Sequence, residues 1–132
     1  MKINLSVIIP TLNNVKGLKY LLNYFKNKPY TVVVIDNKKK NLGFAGGVNK
    51  GAKNIKTKWA LILNDDIEFD GKILNIKSQI TNKSKILNIK KEKQNKIRFL
   101  IQYAEKNNLD AVSPVLVNPD GEVENYGYRI LP

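Results

Sequence analysis

The N-terminal half of the chain alternates short apolar runs with segments of helical spacing. The apolar runs cover residues 3–10, 31–36 and 58–63, and they predict buried strands. Between the first two runs, apolar residues recur every three or four positions, which predicts an amphipathic helix over residues 15–27 that Asn13 or Asn14 can cap. A second helix is predicted over residues 44–55. The resulting order is strand, helix, strand, helix, strand.

This order implies right-handed crossovers and an α/β fold with a mainly parallel sheet flanked by helices. The β-branched run at 31–36 is typical of an inner strand. Ligands of such sheets bind beyond the carboxyl ends of the strands. Three polar clusters follow predicted strands, so we expect them to converge on one edge: Pro10-Thr11, Asp36-Asn37 and Asn64-Asp65-Asp66.

The C-terminal part of the chain predicts one more helix and a β-hairpin. The helix covers residues 98–108, and strands at 110–117 and 122–130 flank the turn sequence Asn118-Pro119-Asp120-Gly121. A length of 132 residues predicts a single domain over 1–132.

Residues 71–96 differ in composition, because Lys, Asn and Ile dominate and Glu92 is the one acid. The spacing of the isoleucines predicts a helical insertion. Two interpretations are open: a solvated helical excursion, or a basic amphipathic surface for a membrane or a partner.

Composition excludes several kinds of chemistry. The chain has no Cys and no His, so disulfides, thiolate nucleophiles, His bases and Cys- or His-ligated metals are ruled out. Acid–base or metal chemistry must rest mainly on Asp and Glu. No apolar run is long enough to span a bilayer, and the N-terminus is typical of a strand rather than a signal peptide. We therefore expect a soluble, cytoplasmic protein.

The net charge is +12, and of 23 basic residues only Arg98 and Arg129 are arginine. The abundance of Lys, Asn and Ile is what an A/T-rich genome would impose, so codon usage and solubility can explain the charge. Attraction to anionic lipid or to nucleotides is the functional alternative, and peripheral contact with a membrane stays open. Nucleic acid is disfavoured, because specific recognition usually uses Arg and stacking aromatics, and only Phe99 adjoins the most basic segment.

A glycine-rich segment, residues 41–51, follows the acid-ended strand and opens the second helix. Glycines let a backbone approach a bulky anionic ligand closely. The segment is not GxGxxG, so a dinucleotide fingerprint does not fit. Asn49 and Lys50 could face a phosphate or a sugar, although a solvated lysine is the simpler interpretation of Lys50.

The third apolar run leads into Asn64-Asp65-Asp66. Adjacent carboxylates at a strand end can hold Mg²⁺ or Mn²⁺ against a diphosphate. On a continued strand, Asn64 and Asp66 would share a face. The alternative is that the acids merely cap a turn. Asp36 could likewise accept hydrogen bonds from a base or ribose, or cap its loop, and Thr11 could line a base pocket or cap the first helix.

Taken together, these segments resemble the nucleotide-sugar-binding half of family-2 glycosyltransferases, nearest to the rhamnosyltransferase-like branch. The segments that carry the resemblance keep the family's order: residues 7–13, 34–37, 41–51, 61–66, 111–114 and 118–121. The resemblance implies a GT-A-like, Rossmann-like sandwich with a C-terminal β-hairpin. The insertion at 71–96 lies outside it.

By this resemblance, Pro10 and Thr11 border the nucleobase, Asp36 hydrogen-bonds it, and residues 41–51 wrap the nucleotide sugar. Asn64-Asp65-Asp66 stands at the family's Asp-x-Asp motif, so Asp66 is the expected metal ligand, with Mg²⁺ or Mn²⁺ binding the diphosphate. The expected substrate-binding residues are Pro10, Thr11, Asn13, Asp36, Asn37, Asn41, Gly43, Phe44, Ala45, Gly46, Gly47, Asn49, Asn64 and Asp65.

The implied activity is inverting transfer of a sugar from a UDP-, GDP- or dTDP-linked donor to a glycan or lipid-linked acceptor, as in polysaccharide biosynthesis. The link from Asp36 to Asn41 is shorter than is usual in the family. The acceptor-side half, with its Glu-Asp base motif, is expected after the hairpin, where this sequence ends. Glu122 and Glu124 are poor substitutes, so no catalytic residue is assigned. A donor half completed by a second chain or a homodimer, and a non-catalytic binding module, are the alternatives.

Overall fold

The computed structural model describes residues 3–69 and 96–125. The chain divides into two compact units, Met1–Gly71 and Lys72–Pro132. The expectation of a single domain stays a prediction. The predicted helical insertion lies outside the described residues, apart from Lys96, which begins a helix.

The first unit is built on a parallel sheet of three strands: β1 (Leu5–Thr11), β2 (Thr31–Asp36) and β3 (Trp59–Ile62). Their order is β2-β1-β3, and Ile8 pairs with Val33 on one side and with Ile62 on the other. Every residue of β1 is buried, because a strand with neighbours on both sides and apolar residues on both faces is removed from water. The mixed α/β class is confirmed, and the arrangement is compatible with a Rossmann-like sandwich. The finer GT-A assignment stays a prediction.

The prediction that residues 31–36 form an inner strand is wrong for the described sheet. Among residues 3–69 and 96–125, β2 pairs with β1 alone and therefore lies at an edge, with Val34 exposed. A β-branched run indicates that a strand packs against apolar neighbours, but it does not specify how many strands flank it. The buried face of β2 uses Ile35, which lies near α2 (Gly43–Ala52).

The two helices of this unit occur where the sequence predicts them. Asn14 caps α1 (Val15–Phe25), because its Oδ1 accepts a hydrogen bond from the Gly17 N–H at 2.9 Å. Leu21 and Phe25 bury the apolar face of the helix.

Helix α2 packs unusually close to the sheet through two glycines one helical turn apart. A β-carbon at Gly51 would lie 2.5 Å from Ile8 Cγ2, and one at Gly47 would lie 2.9 Å from Pro10 Cβ. Contacts this short are not tolerated, so only glycine permits the observed helix-to-sheet distance. Part of the glycine-rich signature is therefore explained by packing.

The strand order determines where a ligand can bind. The chain passes from β1 to β2 on one side and from β2 to β3 across β1 on the other. Because such crossovers are right-handed in nearly all proteins, α1 and α2 belong to opposite faces of the sheet. The order reverses between β1 and β3, and open α/β sheets bind ligands at such a reversal, beyond the carboxyl ends of the strands.

The second unit contains α3 (Lys96–Lys106) and an antiparallel hairpin of β4 (Leu116–Val117) and β5 (Val123–Asn125). The turn is confirmed, because the Gly121 N–H donates to the Asn118 carbonyl at 2.8 Å and Gly121 takes a φ of 86°. The strand predicted over 110–117 is limited to its last two residues. Pro114 has no N–H to donate, which is one reason that a longer ladder does not form. The returning strand beyond residue 125 lies outside the described part of the chain.

Within residues 3–69 and 96–125, no helix combines the length and the apolar character needed to cross a membrane.

Candidate functional site

An open groove of about 330 Å³ lies at the carboxyl edge of the parallel sheet. Its walls come from the segments that follow β1, β2 and β3, so the predicted polar clusters each contribute at least one residue. The residues that line the groove are Pro10, Thr11, Leu12, Asn13, Asn14, Asn37, Asn41, Gly43, Phe44, Asn64 and Asp65. The groove lies where the strand order reverses, which is the expected ligand position in this class of fold.

Asp65 is held in place by two residues of the first strand–helix connection. The Thr11 hydroxyl donates to Asp65 Oδ2 at 2.6 Å, and the Asn14 side-chain amide donates to the Asp65 carbonyl oxygen at 3.0 Å. Gly17 lies directly against this carbonyl, since a β-carbon there would approach the oxygen to 1.8 Å. Asp65 is therefore positioned by the fold rather than by its own loop.

The prediction that Asp65 and Asp66 lie on a continuation of strand β3 is wrong. Strand β3 ends at Ile62, and Asp65 and Asp66 occupy a turn in which the Ile67 N–H approaches the Asn64 carbonyl at 3.5 Å. Residues in a turn do not alternate between faces, so the argument that Asn64 and Asp66 share a strand face fails. Asp65 borders the groove, whereas Asp66 is exposed and does not line it. The role of Asp66 as metal ligand stays a prediction.

Asn37 and the start of α2 form another part of the groove lining. Asn37 is only 5% exposed, and its backbone N–H donates to the Thr11 carbonyl at 2.8 Å. Its side-chain Nδ2 donates to the Gly43 carbonyl at 3.4 Å, while its Oδ1 has no hydrogen-bond partner among the described residues. Beside it, Phe44 is 52% exposed. A buried amide and an accessible aromatic ring thus both line the groove.

Asp36 has a local partner and does not line the groove. Its Oδ1 accepts a hydrogen bond from the Lys38 N–H at 2.8 Å, and the residue is exposed. This geometry matches the alternative in which Asp36 caps its loop. Its contact with a nucleobase stays a prediction.

The glycine-rich segment contributes to the groove mainly through its beginning. Asn41 Oδ1 accepts a hydrogen bond from the Gly43 N–H at 2.9 Å, and Gly43 takes a φ of 66°, which favours glycine. The later predicted residues of this segment lie on α2 outside the groove lining: Ala45, Gly46, Gly47 and Asn49. Their contact with a nucleotide sugar stays a prediction.

Sequence reasoning left Leu12, Asn14 and Gly17 out of the candidate site. Asn14 was recognisable only as one of two possible helix caps. Gly17 carries a weak signal, because glycine in the first turns of a helix costs about 1 kcal/mol relative to alanine and therefore calls for a reason. That reason is its contact with Asp65, which lies 48 positions further on in the printed sequence.

The groove residues suit a metal ion whose remaining ligands come from a bound phosphate. They do not suit a metal ion that is coordinated by protein side chains alone. Within the described residues, no three acidic side chains gather into a metal-binding group. Mg²⁺ is commonly bound through one or two carboxylates, with substrate phosphates and water as the other ligands. Asp65 meets that requirement, because Thr11 engages only one of its two carboxylate oxygens.

The hydrogen bond from Thr11 to Asp65 can be tested by replacing Thr11 with valine. We expect the free energy of unfolding to fall by about 1–2 kcal/mol, because a hydrogen bond to a charged group is lost with little change in volume. Urea denaturation measures this value. The control is Thr31→Val at an exposed position of β2, which we expect to leave stability within about 0.5 kcal/mol of the original. Equal effects at the two positions would contradict the contribution of the bond.

Comparisons with family models, curated proteins and solved structures return no match to this chain. The described residues therefore define the class of site by themselves. It is a polar groove at the strand-order reversal of a small parallel α/β sheet, bordered by one fixed carboxylate, one buried amide and one accessible aromatic ring.

Proposed function

We propose that this chain binds a nucleotide diphosphate sugar together with Mg²⁺ or Mn²⁺, as the donor domain of a GT-A-like inverting glycosyltransferase of the family-2 type. The observation that carries the proposal is the convergence of the segments after β1, β2 and β3 on one groove at the strand-order reversal. That is the general ligand position of open α/β sheets, and the first four segments that carry the resemblance each contribute residues to the groove.

One group of residues would bind the nucleoside of the donor, and another would bind its diphosphate. Asn37 and Phe44 adjoin the start of α2 and suit the nucleoside, because they offer hydrogen-bonding capacity beside an aromatic face. Asp65, with Asp66 as the ligand that the resemblance implies, would hold the cation and thereby the diphosphate. The cation would stabilise the charge of the leaving diphosphate. Thr11 and Asn14 keep Asp65 in position for this role.

A second candidate is a donor-binding module that does not catalyse transfer by itself. The supporting observation is that Asp65 is the only carboxylate in the groove lining of the described residues and is already engaged by Thr11. Inversion requires a base on the acceptor side. A complementing chain or a second copy would then supply the base and the contacts to a glycan or lipid-linked acceptor. Binding of a basic surface over residues 72–98 to a membrane or nucleic acid stays a further prediction, and residues 72–95 of that segment lie outside the described part of the chain.

Calorimetric titration with UDP, GDP, dTDP and their sugars, each with and without Mn²⁺, tests the proposal. We expect at least one of these nucleotides to bind, and we expect Mn²⁺ to tighten its binding at least about tenfold, because the cation links carboxylate and diphosphate. CDP and ADP serve as nucleotide controls of equal charge. Failure of every nucleotide to bind at millimolar concentration would overturn both the enzyme and the binding-module form of the proposal.

A further inference from the structure

Asn37 carries a buried acceptor that the described fold leaves unused. The residue is only 5% exposed, and its Oδ1 has no hydrogen-bond partner among residues 3–69 and 96–125. Leaving a buried acceptor unsatisfied costs about 1–3 kcal/mol, so such groups are rare in folded proteins and call for an explanation. Because Asn37 lines the groove, a hydrogen-bond donor on a ligand is a direct explanation.

The orientation of this amide follows from its other contacts. Nδ2 donates to the carbonyl of Gly43, which can only accept, so the nitrogen must point towards α2. Gly47 lies behind it, since a β-carbon there would come within 3.3 Å of Nδ2. The backbone N–H of Asn37 is tied to the Thr11 carbonyl. These contacts fix the amide, and its oxygen is the group that has no partner among the described residues.

The surroundings indicate which kind of donor fits. Phe44 offers a half-exposed aromatic ring in the same lining, which suits a flat ring. Phe44 also lies in the first turn of α2. The Gly43 N–H of this turn donates to Asn41 Oδ1, but the N-cap residue Leu42 provides no side-chain cap, so the N–H groups that follow Gly43 are the donors available there. The protein thus offers one acceptor, Asn37 Oδ1, with N–H donors nearby. The complementary edge of a ligand is a ring N–H with a carbonyl oxygen on either side. Uracil and thymine carry that edge, whereas cytosine and adenine present a ring nitrogen that accepts.

We propose that Asn37 Oδ1 accepts the ring N3–H of a uracil or thymine base that packs against Phe44, and that this contact selects the nucleotide. The inference rests on the proposed function and makes it more specific. It moves base selection from Asp36, which caps its own loop, to the neighbouring Asn37. Guanine fits less well, because its amino group next to the ring N–H would need a second acceptor beside Asn37.

The experiment compares UDP with N3-methyl-UDP by calorimetry on the full chain in the presence of Mn²⁺. Methylation removes the one donor and leaves the diphosphate unchanged. We expect N3-methyl-UDP and CDP to bind at least about tenfold more weakly than UDP, as the loss of one buried hydrogen bond predicts. In Asn37→Ala we expect UDP to weaken to the level of N3-methyl-UDP, so that the two nucleotides become equal.

Two further variants serve as controls. Asn54→Ala removes an exposed asparagine near the other end of α2 and should keep the full preference for UDP. Phe44→Leu should weaken UDP and N3-methyl-UDP by the same factor, because it removes the ring and not the acceptor. Equal binding of UDP and N3-methyl-UDP to the unmodified chain overturns this inference alone, and it does not depend on any variant that might misfold. Absence of binding by UDP, dTDP, GDP, CDP and ADP overturns the proposed function together with it.

Discussion

Replacement of Gly17 by alanine is expected to lower the free energy of unfolding by about 2–3 kcal/mol, as overpacking of a tight contact does. The new β-carbon would lie 1.8 Å from the Asp65 carbonyl oxygen and 2.5 Å from Asn14 Nδ2. Either α1 or the Asp65 turn must therefore move. The sign is informative, because alanine at an unconstrained helical position would stabilise the chain by up to about 1 kcal/mol.

Urea denaturation of the variant measures the loss, and titration with nucleotide and Mn²⁺ measures the effect on the groove. We expect the stability and the Mn²⁺-dependent binding of nucleotide both to be impaired, since the displaced turn carries Asp65. Lys19→Ala, at an exposed position of the same helix, should change neither quantity appreciably. A Gly17→Ala variant that is as stable as the original, or more stable, would show that α1 and the Asp65 turn do not approach each other as closely as the structure has them.

Removal of charge at Asp65 or Asp66 is expected to reduce the gain in nucleotide affinity that Mn²⁺ provides. In Asp65→Asn the amide oxygen can still accept the Thr11 hydroxyl, so the turn keeps its anchor while the groove loses its carboxylate. In Asp66→Ala the ligand that the resemblance implies is lost. We expect at least about a tenfold loss of Mn²⁺-dependent affinity in each, and an unchanged affinity without metal.

The two variants also distinguish two assignments of the metal ligand: Asp66, which the resemblance implies, and Asp65, which the geometry of the groove favours. Asp65 borders the groove and Asp66 does not, so a larger loss in Asp65→Asn would identify Asp65 as the principal ligand. Glu68→Gln removes an exposed charge from the same segment and serves as the control for long-range electrostatics. If both aspartate variants keep the full effect of Mn²⁺, the metal does not bind at this turn.

The sequence predicted the elements of the first unit well, because their signals are local. Apolar periodicity placed α1, the glycine-rich segment marked the start of α2, and the apolar runs placed β1, β2 and β3. The same reasoning was less successful for residues 110–117, where a strand was predicted before the turn at 118–121 and only Leu116–Val117 pairs. A strand exists only when a partner supplies its hydrogen bonds, and propensity carries no information about that partner.

The sequence predicted which region of the fold carries the candidate site. It did not predict how the individual side chains are arranged there. The rule that ligands bind at the carboxyl ends of parallel strands selected Thr11, Asn37 and Asp65 correctly as neighbours of one groove. It could not distinguish Asp65 from Asp66, because the strand was assumed to continue and instead ends at Ile62. The base contact was assigned to Asp36 and not to Asn37, although Asp36 caps its loop and Asn37 is buried in the groove lining.

The sequence by itself determined the alternation of strands and helices, the absence of Cys and His chemistry, and the edge of the sheet where polar residues collect. Only the tertiary structure decided that β1 is the central strand of the described sheet and that Gly17 and Gly51 are contact points. It also decided that Asn37 Oδ1 is buried without a hydrogen-bond partner among residues 3–69 and 96–125. The physical reason is distance along the chain. Thr11 and Asp65 are 54 positions apart, and a hydrogen bond between them depends on how whole elements pack, which local patterns do not encode.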